Sequence, residues 1–175
     1  CRLAETQITV KHLFTMGAGF NYDLEAKGIK EAISEGKKST REIVSALSKT
    51  VLSFEPGTRF KYSLCHDVLA ALIEIWSGKK LGEYMRENIF EPLCMKNTFF
   101  GPYKDAKKPD TMPARYRYDK YHRPERLSLE CEYILSDEYQ SGGAGLVSTT
   151  EDYAVFLDAM ANGGVAKNGY KLLNF

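Results

Sequence analysis

Apolar residues recur along most of this chain every three to four positions, the spacing of amphipathic helices rather than of strands. The clearest stretch runs from Ser63 to Trp76. Leu64, Val68, Leu69, Leu72, Ile73 and Trp76 fall on one side, and Ser77-Gly78 supplies the stop. Upstream, Thr9 is placed to cap a short helix through Phe14, broken by Gly17 and Gly19. Asp23 is read as the cap of a stretch through Ser34, with Ile29, Ala32 and Ile33 on one face and Gly36 after it. Ser39-Thr40-Arg41-Glu42 has the form of a capping box ahead of Ile43, Val44, Leu47 and Val51.

Downstream of the main helix, Leu81, Tyr84, Met85 and Ile89 predict another helix over about 81–88, which Pro92 ends. Tyr116, Tyr118 and Tyr121 around Asp119-Lys120 suggest a small β-hairpin. Residues 127–139 carry no clear period. Ser148-Thr149-Thr150-Glu151 reads as a second capping box, opening a helix with Tyr153, Phe156, Leu157 and Met160 facing inward and Gly163-Gly164 closing it. No repeat, low-complexity tract or linker divides the 175 residues. The pattern predicts a single, mainly α domain over 1–175 with one small β-hairpin.

Composition changes this picture little. Hydrophobic residues make up 43% and charged residues 27%, the balance of an ordinary globular domain. A net charge of +1 gives no electrostatic argument for nucleic acid. The basic cluster Lys104, Lys107 and Lys108 reads as a solvated loop. No apolar run approaches the ~18 residues of a membrane span. Cys1, Cys65, Cys94 and Cys131 are widely spaced with no C-x-x-C, which argues against a zinc site and leaves pairing open.

Candidate chemistry begins with exclusions. Neither H-E-x-x-H, a Walker A motif nor a G-x-S-x-G elbow is present, and His12, His66 and His122 lie in no recognisable Ser-His-Asp context. Ser141-Gly142-Gly143-Ala144-Gly145 precedes a capped helix. Such a loop can cradle an anion at a helix N-terminus, or it can let the backbone run close to another element. The second use is the commoner one.

Three blocks carry a family resemblance. Ile8-Thr9-Val10-Lys11-His12-Leu13-Phe14-Thr15-Met16-Gly17-Ala18-Gly19 resembles "ITVRHLLTMTSGL". The span from Phe54-Glu55-Pro56-Gly57-Thr58 through Tyr62-Ser63-Leu64, Asp67-Val68-Leu69 and Ser77-Gly78 to Ile89-Phe90-Glu91-Pro92-Leu93-Cys94-Met95-Lys96-Asn97-Thr98 is similar to "F.PGT.F.YS...DVLG..IE..SG..L.EY....IF.PLGM..T". Gly142-Gly143-Ala144-Gly145-Leu146-Val147-Ser148-Thr149 with Asp152-Tyr153 and Phe156 resembles "GG.GL.ST..DY..F". These blocks, in this order, are those of the β-lactamase/penicillin-binding-protein superfamily: class C β-lactamases, family VIII carboxylesterases and serine D-Ala-D-Ala peptidases.

The resemblance implies a serine hydrolase made of an α/β domain and an inserted helical domain, with the active site between them. The nucleophilic Ser and its Lys belong to an S-x-x-K motif ahead of the first block, and a K-T-G or H-x-G motif follows the third. Both are expected outside residues 1–175, so the chain is expected to be a helical-domain fragment, inactive alone. Ser34-Glu35-Gly36-Lys37 matches S-x-x-K literally but stands in the wrong place. Tyr62 corresponds to the family tyrosine that relays protons to and from the nucleophile. A phenol titrates near ~10, so that work needs a neighbouring cation, which the absent Lys would supply.

Ser63, Leu64, Gly142 and Gly143 are the implied substrate-cleft residues. Leu64 stands where lactamases and peptidases often carry Asn, a departure that favours esters. Ala18 replaces a usual Ser. No metal or organic cofactor is implied. The implied partners are the rest of the parent chain and a small ester, β-lactam or D-Ala peptide, and the surface left bare by excision is expected to self-associate. The alternatives are a D-Ala-D-Ala carboxypeptidase and a non-catalytic relative that has lost the Ser or Lys. The resemblance points to a bacterial source and leaves cytoplasmic and exported locations open.

Overall fold

A computed structural model describes residues 2–101, 112–127 and 135–173. Its helices are α1 (Val10–Phe14), α2 (Lys27–Ser34), α3 (Thr40–Ser45), α4 (Cys65–Ser77), α5 (Leu81–Met85) and α6 (Thr150–Ala161). A 3-10 turn, Ala46–Lys49, extends α3, and a π turn, Arg86–Phe90, extends α5. The strands are β1 (Phe99–Phe100), β2 (Tyr116–Tyr118), β3 (Pro124–Arg126) and β4 (Leu146–Val147). The basic cluster at Lys104, Lys107 and Lys108, with Cys1 and Cys131, lies outside the described residues.

The mainly α expectation is corrected. Of the described residues 37% are helical and 8% are in strands, so turns and irregular backbone hold more than half. There are two sheets rather than one hairpin. The hairpin β2–β3 is joined by an antiparallel β1–β4 pair, in register Phe99 with Val147 and Phe100 with Leu146. Strands of two residues have no room for a period-2 signal, which is why sequence pattern cannot register β1 and β4.

Capping explains where the helices begin. Thr9 caps α1 in a box completed by the His12 ring, and Ser39 caps α3 in a box with Glu42. Two expected caps move. Asp23 accepts from the Glu25 N–H in a local turn, and α2 starts only after Ala26, which offers no side-chain cap. The cap of α6 is Thr149, accepting from Asp152 N, rather than Ser148, whose hydroxyl is taken by Thr98 at 2.8 Å. The α4 helix ends at Gly78, where φ of 71° favours a residue without Cβ.

The core has two parts. The larger joins Leu13, Met16 and Phe20 to Ile29, Ile43, Leu47, Leu64, Cys65 and Tyr139. The smaller gathers Phe90, Leu93 and Met95 against Ala159 and Ala166, with Phe156 packed beside them. On α4 the most buried residues are not the large apolar ones. Cys65, Asp67, Ala70, Ala71 and Glu74 are buried, while Ile75 and Trp76 are 53% and 67% exposed. Of the four α6 residues expected to face inward, only Phe156 does; Tyr153, Leu157 and Met160 are exposed. Small residues on the buried side of α4 let backbone, rather than side chains, pack against it.

The packing predicts unequal costs on truncation. In the 175-residue chain, Ile43→Ala is expected to lower the unfolding free energy by about 2–5 kcal/mol, the range for emptying a filled core site. Ile75→Ala, on the bare side of α4, is expected to change it by less than about 0.5 kcal/mol. Urea melts of the two variants check the contrast, and equal losses would refute the burial assignment.

Candidate active site

The segment that carries Tyr62 is pinned along its length. Lys61 N donates to Met16 O at 3.0 Å and Leu64 N to Asn21 O at 3.4 Å, so residues 61–64 run beside residues 16–21. The Lys61 ammonium reaches Asn21 Oδ1 and Ser53 Oγ. The Tyr62 ring leans on Tyr22, with centroids 5.1 Å apart and a 36° interplanar angle. Tyr62 is 57% exposed.

Ser63 and Leu64 behave differently. Ser63 is buried, its hydroxyl 3.1 Å from Cys65 Sγ and 3.8 Å from Met16 Sδ. Leu64 is 3% exposed and belongs to the larger core, so its side chain packs inward instead of lining the surface at Tyr62. Its identity therefore answers to packing, and the inference from Leu64 to ester substrates loses its structural basis.

The glycine-rich loop lies directly on α4. A Cβ at Gly142 would stand 2.1 Å from His66 O and 2.8 Å from Ala70 Cβ, so no larger residue fits without parting loop and helix. Gly143 faces Asp67 Oδ2. Ser141 is the fastener. Its hydroxyl donates to Asp67 Oδ1 at 2.6 Å and accepts from Gly143 N at 3.2 Å and Ala144 N at 3.0 Å. Those two amides are therefore turned into the protein, which removes them from any outward anion cradle.

Asp67 takes a second donor, Tyr139 Oη at 2.6 Å, on the same oxygen. Burial first, and then the neighbouring Asp67 carboxylate, hold the Tyr139 phenol far above its ordinary range, so it stays protonated and keeps donating. Hydrogen bonds to a charged acceptor contribute about 1.5–3 kcal/mol each, and they offset the cost of placing a carboxylate where it is only 2% exposed.

The stretch 139–141 is stitched to three helices at once. Gln140 N donates to Thr40 Oγ1 of α3 at 2.8 Å, and Gly82 N of α5 donates to Gln140 Oε1 at 2.6 Å, while Tyr139 and Ser141 hold α4. The far end of the loop is fixed by β4 on β1 and by Asp152, which accepts from Asn97 N at 2.7 Å and Thr98 Oγ1 at 2.9 Å.

Sequence reasoning singled out the loop and Tyr62 but passed over Asp67 as a buried acid, and over Tyr139, Thr40 and Gln140. One signal was present: Asp67 shares a helix face with Ala70 and Ala71, the mark of a face that meets backbone. His66 is half-buried, and Ser34 is exposed at the end of α2, its hydroxyl donating to Glu31 O. Among the described residues no helix is long and apolar enough to cross a membrane, and no group of three or more His, Cys, Asp or Glu is arranged around a metal position.

The chain is similar to known proteins. The family model described as Beta-lactamase matches residues 2–173. A protein of Escherichia coli K12 named "Putative D-alanyl-D-alanine carboxypeptidase" is 31% identical over 144 residues, covering 75% of this chain and 32% of that protein. The chain thus spans about a third of the length of such curated relatives. Among solved structures, EstCE1, a hydrolase with promiscuous acyltransferase activity, superposes with a TM-score of 0.70 at 25% identity, over 89% of this chain and 46% of that one. D-amino acid amidase from Ochrobactrum anthropi superposes with a TM-score of 0.66 at 22% identity, over 89% of this chain and 45% of that one, a likeness of fold. Because the family match runs along nearly its whole length, this chain belongs to the beta-lactamase family of serine hydrolases.

Proposed function

We propose that residues 1–175 form the tyrosine-bearing lobe of a longer serine hydrolase that transfers acyl groups to water. The observation that carries this reading is the exposure of Tyr62 on a segment held by residues 16–21 and leading into α4, the helix to which the Gly-rich loop is also fixed. In the proposed reaction a serine from the rest of the polypeptide attacks the substrate carbonyl. Its proton passes to Tyr62 acting as the phenolate, with a lysine of the same motif as the counter-cation, as the C–O bond to the enzyme forms. Tyr62 then returns the proton to the leaving group as the scissile bond breaks. Water repeats the cycle on the acyl-enzyme and frees the acid.

Small esters and D-Ala peptides are the substrate classes proposed, the first supported by the likeness to EstCE1 and the second by the carboxypeptidase-named relatives. β-Lactams follow from the same acyl chemistry. A panel of a nitrophenyl ester, a D-Ala-D-Ala peptide and nitrocefin separates the three.

The remaining polypeptide is also the proposed partner of a bare apolar groove. That groove, about 970 Å3, is walled by Val44, Val51, Leu52, Val68, Leu72 and Ile75. Val51 and Ile75 are the exposed apolar residues of that groove, and in the isolated chain a second copy is the proposed cover for them.

Two outcomes are expected. The full-length polypeptide hydrolyses at least one substrate of the panel, Tyr62→Phe lowers kcat about 10²–10⁴-fold, and the 175-residue chain alone shows no turnover. Full activity in Tyr62→Phe would refute the proton-relay role. In light scattering the 175-residue chain is expected to self-associate, and Ile75→Asp to return it to a monomer. A wild-type monomer at high concentration would refute the bare-interface reading.

A further inference from the structure

The residues around the first turn of α4 carry an assignment that goes beyond Tyr62, though it rests on the hydrolase reading. We propose that Asp67, acting through the Ser141 hydroxyl, is a positioning residue that sets the Gly142–Gly145 face of the cleft relative to Tyr62. The geometry is fully committed to that task. A serine hydroxyl has one proton and two lone pairs. Here the proton goes to Asp67 Oδ1, and the lone pairs take Gly143 N and Ala144 N. The conformation of three consecutive loop residues thus follows from where Asp67 stands.

Where Asp67 stands is fixed in turn by the helix that begins three residues after Tyr62. Tyr139 holds the same Asp67 oxygen from a second side, so the carboxylate cannot swing toward solvent and drop the serine. The loop backbone closes on the helix at Gly142, against His66 O and Ala70. Tyr62, the first turn of α4, Asp67, Ser141 and the loop therefore form one short, continuous path between two walls of the proposed site. Asp67 touches no surface from which substrate arrives, so its influence is on geometry. Displacing a reacting group or its support by about 1 Å costs on the order of 10²-fold in rate.

Both hydroxyls use Oδ1, which makes the variants informative. Asp67→Asn keeps an oxygen acceptor there; Asp67→Ala removes it. Ser141→Ala releases both amides, and Ser141→Thr keeps the hydroxyl. The test uses the full-length polypeptide and a phosphonate ester with a nitrophenol leaving group, which reacts once with an activated serine. The amplitude of nitrophenolate release counts competent sites, and its rate constant reports reactivity per site. Ser141→Ala and Asp67→Ala are expected to lower the per-site rate constant about 10- to 100-fold, with Ser141→Thr and Asp67→Asn recovering most of it. If amplitudes fall while the per-site rate constants stay at the wild-type value, Asp67 supports folding only and the proposal is overturned. Should Asp67→Ala not fold, Ser141→Ala and Asp67→Asn carry the same comparison. A wild-type protein that releases no nitrophenolate and turns over none of the panel substrates overturns the hydrolase reading itself, a result distinct from unchanged per-site rates.

Discussion

A carboxylate buried in the first turn of a helix is costly unless every neighbour is arranged for it, and Asp67 imposes that arrangement on this chain. Its oxygen gathers Tyr139 and Ser141 from more than 70 residues away in sequence. To bring them there, the stretch 139–141 passes between α3, α4 and α5 and is bound to each. Small residues on the same helix face, Ala70 and Ala71, clear the space, and glycine at 142 fills it with backbone. Removing one partner of such a group strands a buried charge, which is more destabilising than the pair is stabilising. The late part of the chain is thereby committed to one position on the early part.

Two other buried acids repeat the device on a smaller scale. Glu74 accepts from Leu81 N at 3.0 Å and sets the start of α5. Asp152 accepts from Asn97 N and Thr98 Oγ1 and seats α6 on the β1–β4 pair. Long-range order in a fold with this much irregular backbone thus rests on carboxylates at helix ends as well as on apolar area. Of the large apolar residues of α4, Val68, Leu69 and Leu72 pack against the larger core, while Ile75 and Trp76 are left exposed.

How far the sequence disclosed this depends on range. Caps with a local partner, such as Thr9 with His12 and Ser39 with Glu42, were legible because donor and acceptor lie three residues apart. Ser148 was not, because its hydroxyl is claimed by Thr98, 50 residues away. The α4 helix is plain from its period, and Leu64, Val68, Leu69 and Leu72 of the expected face pack on the larger core while Trp76 does not; periodicity, which ranks residues by hydrophobicity, cannot see that Asp67, Ala70 and Glu74 are buried more deeply than Val68, Leu69 and Leu72. Tyr62 is singled out by family resemblance alone; no local pattern separates it from Tyr22 or from the hairpin tyrosines. The resemblance implies a cleft role for Leu64 through its place in the motif, while its burial is a matter of three-dimensional packing that the motif does not carry.

The central claim is that Tyr62 faces the reacting serine of a hydrolase, from a wall held in place by Asp67. The most direct measurement is a crystal structure of the full-length polypeptide after reaction with the phosphonate ester. The account predicts phosphorus on a single serine oxygen, with Tyr62 Oη within about 2.6–3.2 Å of that oxygen. A phosphonylated serine with Tyr62 Oη well beyond hydrogen-bond reach, or phosphonylation remote from this lobe, would contradict it.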